Sequence, residues 1–194
     1  MENKTILLDL DGVLVNFVTP AMRAVGLDRN LVERGHWDVF RKAGCSLDEV
    51  WGKIDNYEFW SGLKPYPKAQ TFLAILQEHC LNVVLCTSSS FSIECPKAKA
   101  EWVNKYLGKL PTIICYNGVS KAVQAKPGNI LIDDCDRNVD AFEAAGGETI
   151  LVPRPWNRLH WLGTDWDTVN YNYVLEKLGI PSRIPDSETE GSAA

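Results

Sequence analysis

Five short apolar, β-branched runs recur along the chain, at residues 5–9, 82–86, 112–115, 130–133 and 149–152, each bounded by polar or turn residues. Their apolar character is continuous rather than alternating, which is the pattern of strands covered on both faces. Helical periodicity separates them over residues 67–80, 96–107 and 137–145. The first two of these open on Pro67 and Pro96, where a fixed φ and a missing N–H suit a first turn. Strand–helix–strand alternation predicts an α/β fold: a doubly wound parallel sheet with right-handed crossovers.

The rhythm breaks after the first run. About 45 residues separate the first two strands of the core, far beyond an ordinary βα connection. This stretch has helical patches at 20–25, 37–43 and 47–54 and is dense in aromatics. It predicts a small helical cap over residues 18–64, above the carboxyl edge of the sheet. The Rossmann-like core then spans residues 1–17 and 65–180, with a last helix over 165–178 that Gly179 stops. Residues 181–194 are polar and proline-interrupted, the composition of a disordered tail.

Composition narrows the partners. The 194 residues are 45% hydrophobic and 23% charged, with a formal net charge of −5. That leaves no basic face for a nucleic acid backbone, so a phosphate-bearing partner is expected to be a small molecule. No apolar run approaches the ~18 residues of a membrane span, and no membrane partner is expected. The first four residues lead straight into a strand pattern, without a signal-peptide cleavage region. The six cysteines form no Cys-x-x-Cys pair. Reduced thiols and a cytoplasmic location are therefore expected.

The candidate chemistry lies at the ends of the apolar runs. Asp9-Leu10-Asp11-Gly12-Val13 closes the first, where open α/β sheets place their ligands. The two aspartates point the same way if the strand continues, and Gly12 allows a sharp turn. Paired carboxylates repel unless a cation lies between them, and an oxygen-only donor set suits Mg²⁺. Asp133-Asp134 closes the fourth run and brings a second acidic pair to the same edge. Either pair alone also reads as a solvated turn or a helix cap; the two together favour a metal site. Thr87 and Ser88 end the second run with hydroxyls that bind phosphate oxygens without adding charge. An acidic phosphate site also needs a fixed cation. Lys121 starts a short helical segment that aims it rigidly, whereas the alternative, Lys126, precedes a Pro-Gly turn.

These segments follow the order of the four motifs of the haloacid dehalogenase superfamily. More narrowly, the chain resembles the 5′(3′)-deoxyribonucleotidase family and its bacterial and phage relatives. The narrower likeness rests on Val13 and Phe17, on Tyr57-Glu58-Phe59-Trp60 before Leu63-Lys64-Pro65, and on Cys95-Pro96 leading into Glu101-Trp102-Val103. The resemblance implies that Asp9 is the nucleophile and Asp11 the general acid and base. It implies Mg²⁺ held by the Asp9 carboxylate, the Asp11 main-chain carbonyl and Asp134, with Asp133 in support. Thr87, Ser88 and Lys121 would bind the phosphoryl oxygens. Phe17, Trp37 and Trp60 would wall the base and sugar, although simple packing of a small cap accounts for the same three rings. The interval from Lys121 to Asp133 is longer than in animal members.

The function so implied is Mg²⁺-dependent hydrolysis of (deoxy)ribonucleoside monophosphates through an aspartyl-phosphate. A phosphatase acting on another small ester, such as a sugar phosphate, is the nearest alternative, and a receiver-like signalling module a more distant one. A catalytically dead nucleotide binder is disfavoured because every catalytic group is present. Residues 152–157 read as a rigid loop near the active edge. His36, His79 and His160 lack metal-ligand spacing. Base and sugar preference, 5′ against 3′ phosphate, and the oligomeric state, a homodimer included, stay open.

Overall fold

The computed structural model describes residues 4–79, 82–116, 118–162, 164–181 and 184–185. Five strands form one parallel sheet: β1 (Thr5–Leu8), β4 (Asn82–Ser88), β5 (Thr112–Cys115), β6 (Asn129–Asp133) and β7 (Glu148–Leu151). Their order is β5-β4-β1-β6-β7, with β1 at the centre. The chain winds outward from β1 to β4 and β5, then crosses back to lay β6 and β7 on the other side. The carboxyl end of β1 is thus the point where the winding reverses, and a crevice opens there.

The strands bury both faces, as their continuous apolar runs require. Ile6 and Leu8 face one side with Leu85 and Ile132, against Phe72 and Leu76 of α5 (Ala69–Glu78). The same layer takes Trp102 of α6 (Glu94–Tyr106) and Val174 of α8 (Tyr171–Lys177). Leu7 and Leu131 point the other way, onto Phe142 of α7 (Asp136–Ala144). This period-2 division fixes the register, since a one-residue slip would turn every side chain to the wrong layer.

Between β1 and α5 the chain makes its long excursion. It leaves through β2 (Val15–Asn16) and returns through β3 (Lys64–Pro65), and these two short strands pair antiparallel. In between come α1 (Val18–Val25), α2 (Val39–Lys42), α3 (Leu47–Ile54) and α4 (Tyr57–Gly62). The third has a reciprocal cap: the Ser46 hydroxyl accepts from the Glu49 N–H, and the Glu49 carboxylate accepts from the Ser46 N–H at 2.9 Å. Such caps are worth about 1 kcal/mol each.

Several sequence expectations are corrected. The helix expected from Pro67 starts at Ala69, because Lys68 is left-handed with φ 65° and cannot join it. The last helix covers Tyr171–Lys177 rather than 165–178. Buried Trp166 and the Arg154 guanidinium, which donates to the Trp166 and Thr168 carbonyls, hold the preceding segment out of helical geometry. The strand after residue 8 does not continue through Asp9 and Asp11; the chain turns at Gly12, with φ 76°. Most of the expected tail, residues 182–183 and 186–194, lies outside the described residues, as do Met1–Asn3 and Cys80. Ile184, however, is buried in the core, and its carbonyl accepts from Asn172 at 2.9 Å. Among the described residues the cysteines are free thiols. No helix there is long and apolar enough to cross a membrane.

Candidate active site

The sequence segments 9–11, 87–88 and 133–134 meet because β4, β1 and β6 are neighbours and end at the same edge. Asp9, Asp133 and Asp134 are all buried, and one carboxylate oxygen from each lies within 4.8 Å of the others. Lys121 reaches into this group from a short 3-10 turn (Lys121–Gln124) that Ser120 caps. Its ammonium lies 2.6 Å from Asp9 Oδ1 and 2.6 Å from Asp133 Oδ2, entirely out of water. Lys126 is exposed.

Each carboxylate is held by further donors. Asp9 Oδ1 accepts from the Leu10 N–H at 2.7 Å. Asp133 accepts from the Cys135 N–H at 2.8 Å and from the Asn138 amide at 3.1 Å. Asp134 Oδ2 accepts from the Trp156 indole at 2.7 Å, and its main-chain carbonyl from Asn157 at 2.8 Å. Gly12 is required beside it: a Cβ there would lie 2.0 Å from Asp134 Oδ2.

Burial dominates the electrostatics. It pushes the Asp9 carboxyl up to about 7, with Lys121 pulling down and the charges of Asp133 and Asp11 adding to the rise. Burial, followed by the charges of Asp133 and Asp9, raises Asp134 well above the usual carboxylate range. For Lys121, burial alone would lower the pKa, but the attraction of Asp133 and Asp9 outweighs it and the net shift is upward.

A second lysine enters from α6. Lys99 pairs with Asp11 Oδ2, donates to Thr87 Oγ1 at 3.1 Å and to the Ser88 carbonyl, and is itself 3% exposed. Sequence reasoning missed it. Its signal was a lysine inside the buried helical stripe of Cys95, Ala98, Trp102 and Val103. Trp156 and Asn157 were missed as well, since the loop that carries them showed no chemistry until it was folded back onto Asp134.

The aromatic residues divide. Phe17 and Trp60 stack at 5.3 Å with planes 5° apart, and the Lys99 ammonium lies 5.0 Å from the Trp60 ring centre. Trp60 is 4% exposed and buttresses Phe17, which is half-buried. Trp37 lies in a neighbouring cluster with Val39, Trp156 and Trp166.

The site fits a divalent cation. Four carboxylates (Asp9, Asp11, Asp133 and Asp134) face two lysines, leaving two negative charges in formal excess. Asp11 Oδ1 and Asp134 Oδ1 are buried without a hydrogen-bond partner. Buried oxygens left so are costly, and Asp134 Oδ1 has a clear use as a ligand for a hard cation.

A doubly wound sheet with an insert after its first strand, and aspartates at the winding reversal, is the architecture of the haloacid dehalogenase superfamily. The chain belongs to the family described as 5′ nucleotidase, deoxy (pyrimidine), cytosolic type C protein, whose profile matches residues 3–171. It is accordingly a phosphoric monoester hydrolase acting on nucleotides. Comparison with curated proteins returns no sequence match. Among solved structures, the fold is similar to Mycobacterium tuberculosis Protein Tyrosine Kinase A, at 14% identity and a TM-score of 0.56, covering 92% of this chain and 99% of that one. It is also similar to a HAD family hydrolase from Deinococcus radiodurans with bound phosphate and sodium, at 18% identity and a TM-score of 0.52, covering 91% and 95%. A dehalogenase matches at 11% identity and a TM-score of 0.54, over 93% and 99%. At these identities the likeness concerns the fold alone.

Proposed function

We propose that this protein hydrolyses (deoxy)ribonucleoside monophosphates to nucleoside and phosphate, using Mg²⁺ and an aspartyl-phosphate on Asp9. The observation that carries this reading is the convergence of Asp9, Asp11, Lys121, Asp133 and Asp134 at one edge of the sheet. In the first step an Asp9 carboxylate oxygen attacks phosphorus, and the bond to the ester oxygen breaks. Asp11 gives that oxygen its proton, then takes one from the water that hydrolyses the aspartyl-phosphate. Lys121, Thr87 and Ser88 bind the transferring phosphoryl oxygens, and Lys99 orients the Asp11 carboxylate. Asp9, Asp134 and the Asp11 main-chain carbonyl would hold Mg²⁺, with Asp133 supporting. Bound there, the ion supplies charge neutralisation that lets a phosphate dianion approach a carboxylate.

The insert over residues 18–64 acts as the cap and supplies the substrate wall. Phe17, half-buried and stacked on Trp60, would meet the base, and Trp37, from the neighbouring cluster, would wall the adjoining side. Base stacking on an aromatic ring is worth ~1–3 kcal/mol. Phe17→Leu, which keeps apolar bulk but removes the flat face, is therefore expected to cut selectivity for nucleotides over p-nitrophenyl phosphate by roughly ten- to a hundredfold. Measuring kcat/KM on both substrates checks this; equal losses would mean that the ring only packs the cap. The reading as a whole is tested by phosphate release from a panel of nucleoside monophosphates and sugar phosphates, with Mg²⁺ and with a chelator. Preference for sugar phosphates would reject nucleotides as the substrate class.

A further inference from the structure

We propose that Trp156 is a positioning residue for the Asp134 carboxylate and that the helical insert holds the ring in that place. The inference rests on the reading of Asp134 as a cation ligand. Asp134 Oδ2 is fixed from two sides, by the indole N–H at 2.7 Å and by the backbone of Gly12, where even a methyl group would collide at 2.0 Å. Its main chain is pinned by Asn157, whose amide also donates to the Val152 carbonyl at 2.7 Å. These contacts leave Oδ1 as the oxygen that is buried and without a partner. An indole N–H suits this task chemically. It is a donor only, so it cannot compete as a ligand, and it is neutral, so it orients the carboxylate without cancelling its charge.

The ring itself cannot turn. It is buried, with the Arg154 guanidinium centred 4.5 Å above it. That guanidinium is locked in turn by the Tyr66 hydroxyl at 2.6 Å and the Trp166 carbonyl at 3.0 Å. Trp156 packs with Trp166 at 5.8 Å between ring centres and shares one apolar cluster with Val18, Met22 and Val39 of the insert. The Gly35 N–H donates to the Pro155 carbonyl at 2.8 Å, tying the insert directly to the loop. One side chain therefore links a cation ligand at the end of β6 to the apolar interior of the insert. Outer donors that orient ligating groups typically change metal affinity 10–100-fold when removed.

The test is calorimetric titration of Mg²⁺ into the wild-type protein, Trp156→Phe and Trp166→Phe, with thermal melting of each. Trp156→Phe removes the N–H and keeps an aromatic ring, and is expected to weaken Mg²⁺ binding at least about tenfold. Trp166→Phe trims a ring packed on Trp156 but keeps the indole N–H on Asp134, and is expected to lower the melting temperature while weakening Mg²⁺ binding much less than Trp156→Phe does; an equal loss in both would overturn the role of the N–H. In turnover, Trp156→Phe should raise the Mg²⁺ concentration needed for half-maximal rate, with kcat at saturating Mg²⁺ close to wild type. Wild-type affinity in Trp156→Phe overturns the proposal alone. A wild-type protein that binds no divalent cation overturns the reading of the carboxylate site along with it. Should Trp156→Phe fail to fold, the same titration on protein carrying benzothienylalanine at position 156 removes the N–H at constant ring size, and the same two outcomes apply.

Discussion

Asp9→Asn protein is expected to release no measurable phosphate from any nucleoside monophosphate, a loss of roughly three orders of magnitude or more. An amide is a poor nucleophile, and the neighbouring Asp133 and Asp134 are engaged elsewhere. Asp133 is held by Lys121, the Cys135 N–H and Asn138, and Asp134 is turned toward Trp156. Asp11→Asn should fail differently. With p-nitrophenyl phosphate the leaving group departs without a proton, so this variant should still form the aspartyl-phosphate and then stall. Acid quenching after mixing with labelled substrate separates the two cases: protein-bound phosphate should accumulate in Asp11→Asn and be absent from Asp9→Asn. Undiminished turnover by Asp9→Asn would reject the mechanism, and equal labelling of both variants would reject the division of roles.

Lys121→Met is expected to lose ~10²–10³-fold in kcat, the usual cost of removing one preorganised electrostatic partner of a transition state. The lysine lies between Asp9 and Asp133 at 2.6 Å from each, where developing phosphoryl charge would also fall. Breaking such a buried pair also costs about 3–5 kcal/mol of stability, because the carboxylates are left uncompensated. Activity must therefore be measured well below the melting temperature of the variant, with Mg²⁺ present. Lys126→Met, on an exposed turn, is expected to change neither quantity appreciably. A larger effect at Lys126 than at Lys121 would overturn the assignment of the phosphate-facing lysine.

How far the sequence reveals this depends on where each group sits along the chain. Asp9, Thr87 and Asp133 were legible because each terminates a run of apolar residues, so strand and site announce one another. The parallel sheet was legible for the same reason: strands buried on both faces cannot alternate. Lys99 and Trp156 were not, because neither ends a strand. Lys99 looks like a surface lysine until α6 is rolled so that Trp102 faces inward, and the rotation is set by tertiary packing. Strands β2 and β3 are two residues each, too short for any periodicity. The length expected for the last helix failed at Asp165–Asn170, where carbonyls that would have closed helical turns are taken by Arg154.

The paired strands β2 and β3 have a consequence for how such a protein diversifies. Asn16 lies opposite Lys64, so the chain departs from the core and rejoins it a single strand spacing apart. Everything between is a cassette with adjacent ends, and exchanging it need not move Asp9, Lys121 or Asp133 relative to one another. Where the insert acts as the proposed cap, substrate choice can change in the cassette while the proposed cleavage groups stay on the sheet. What the insert gives the core limits the exchange: each replacement must still present an apolar seat for Trp156 where Val18, Met22 and Val39 now stand, and fill the place of Trp60 beside Lys99.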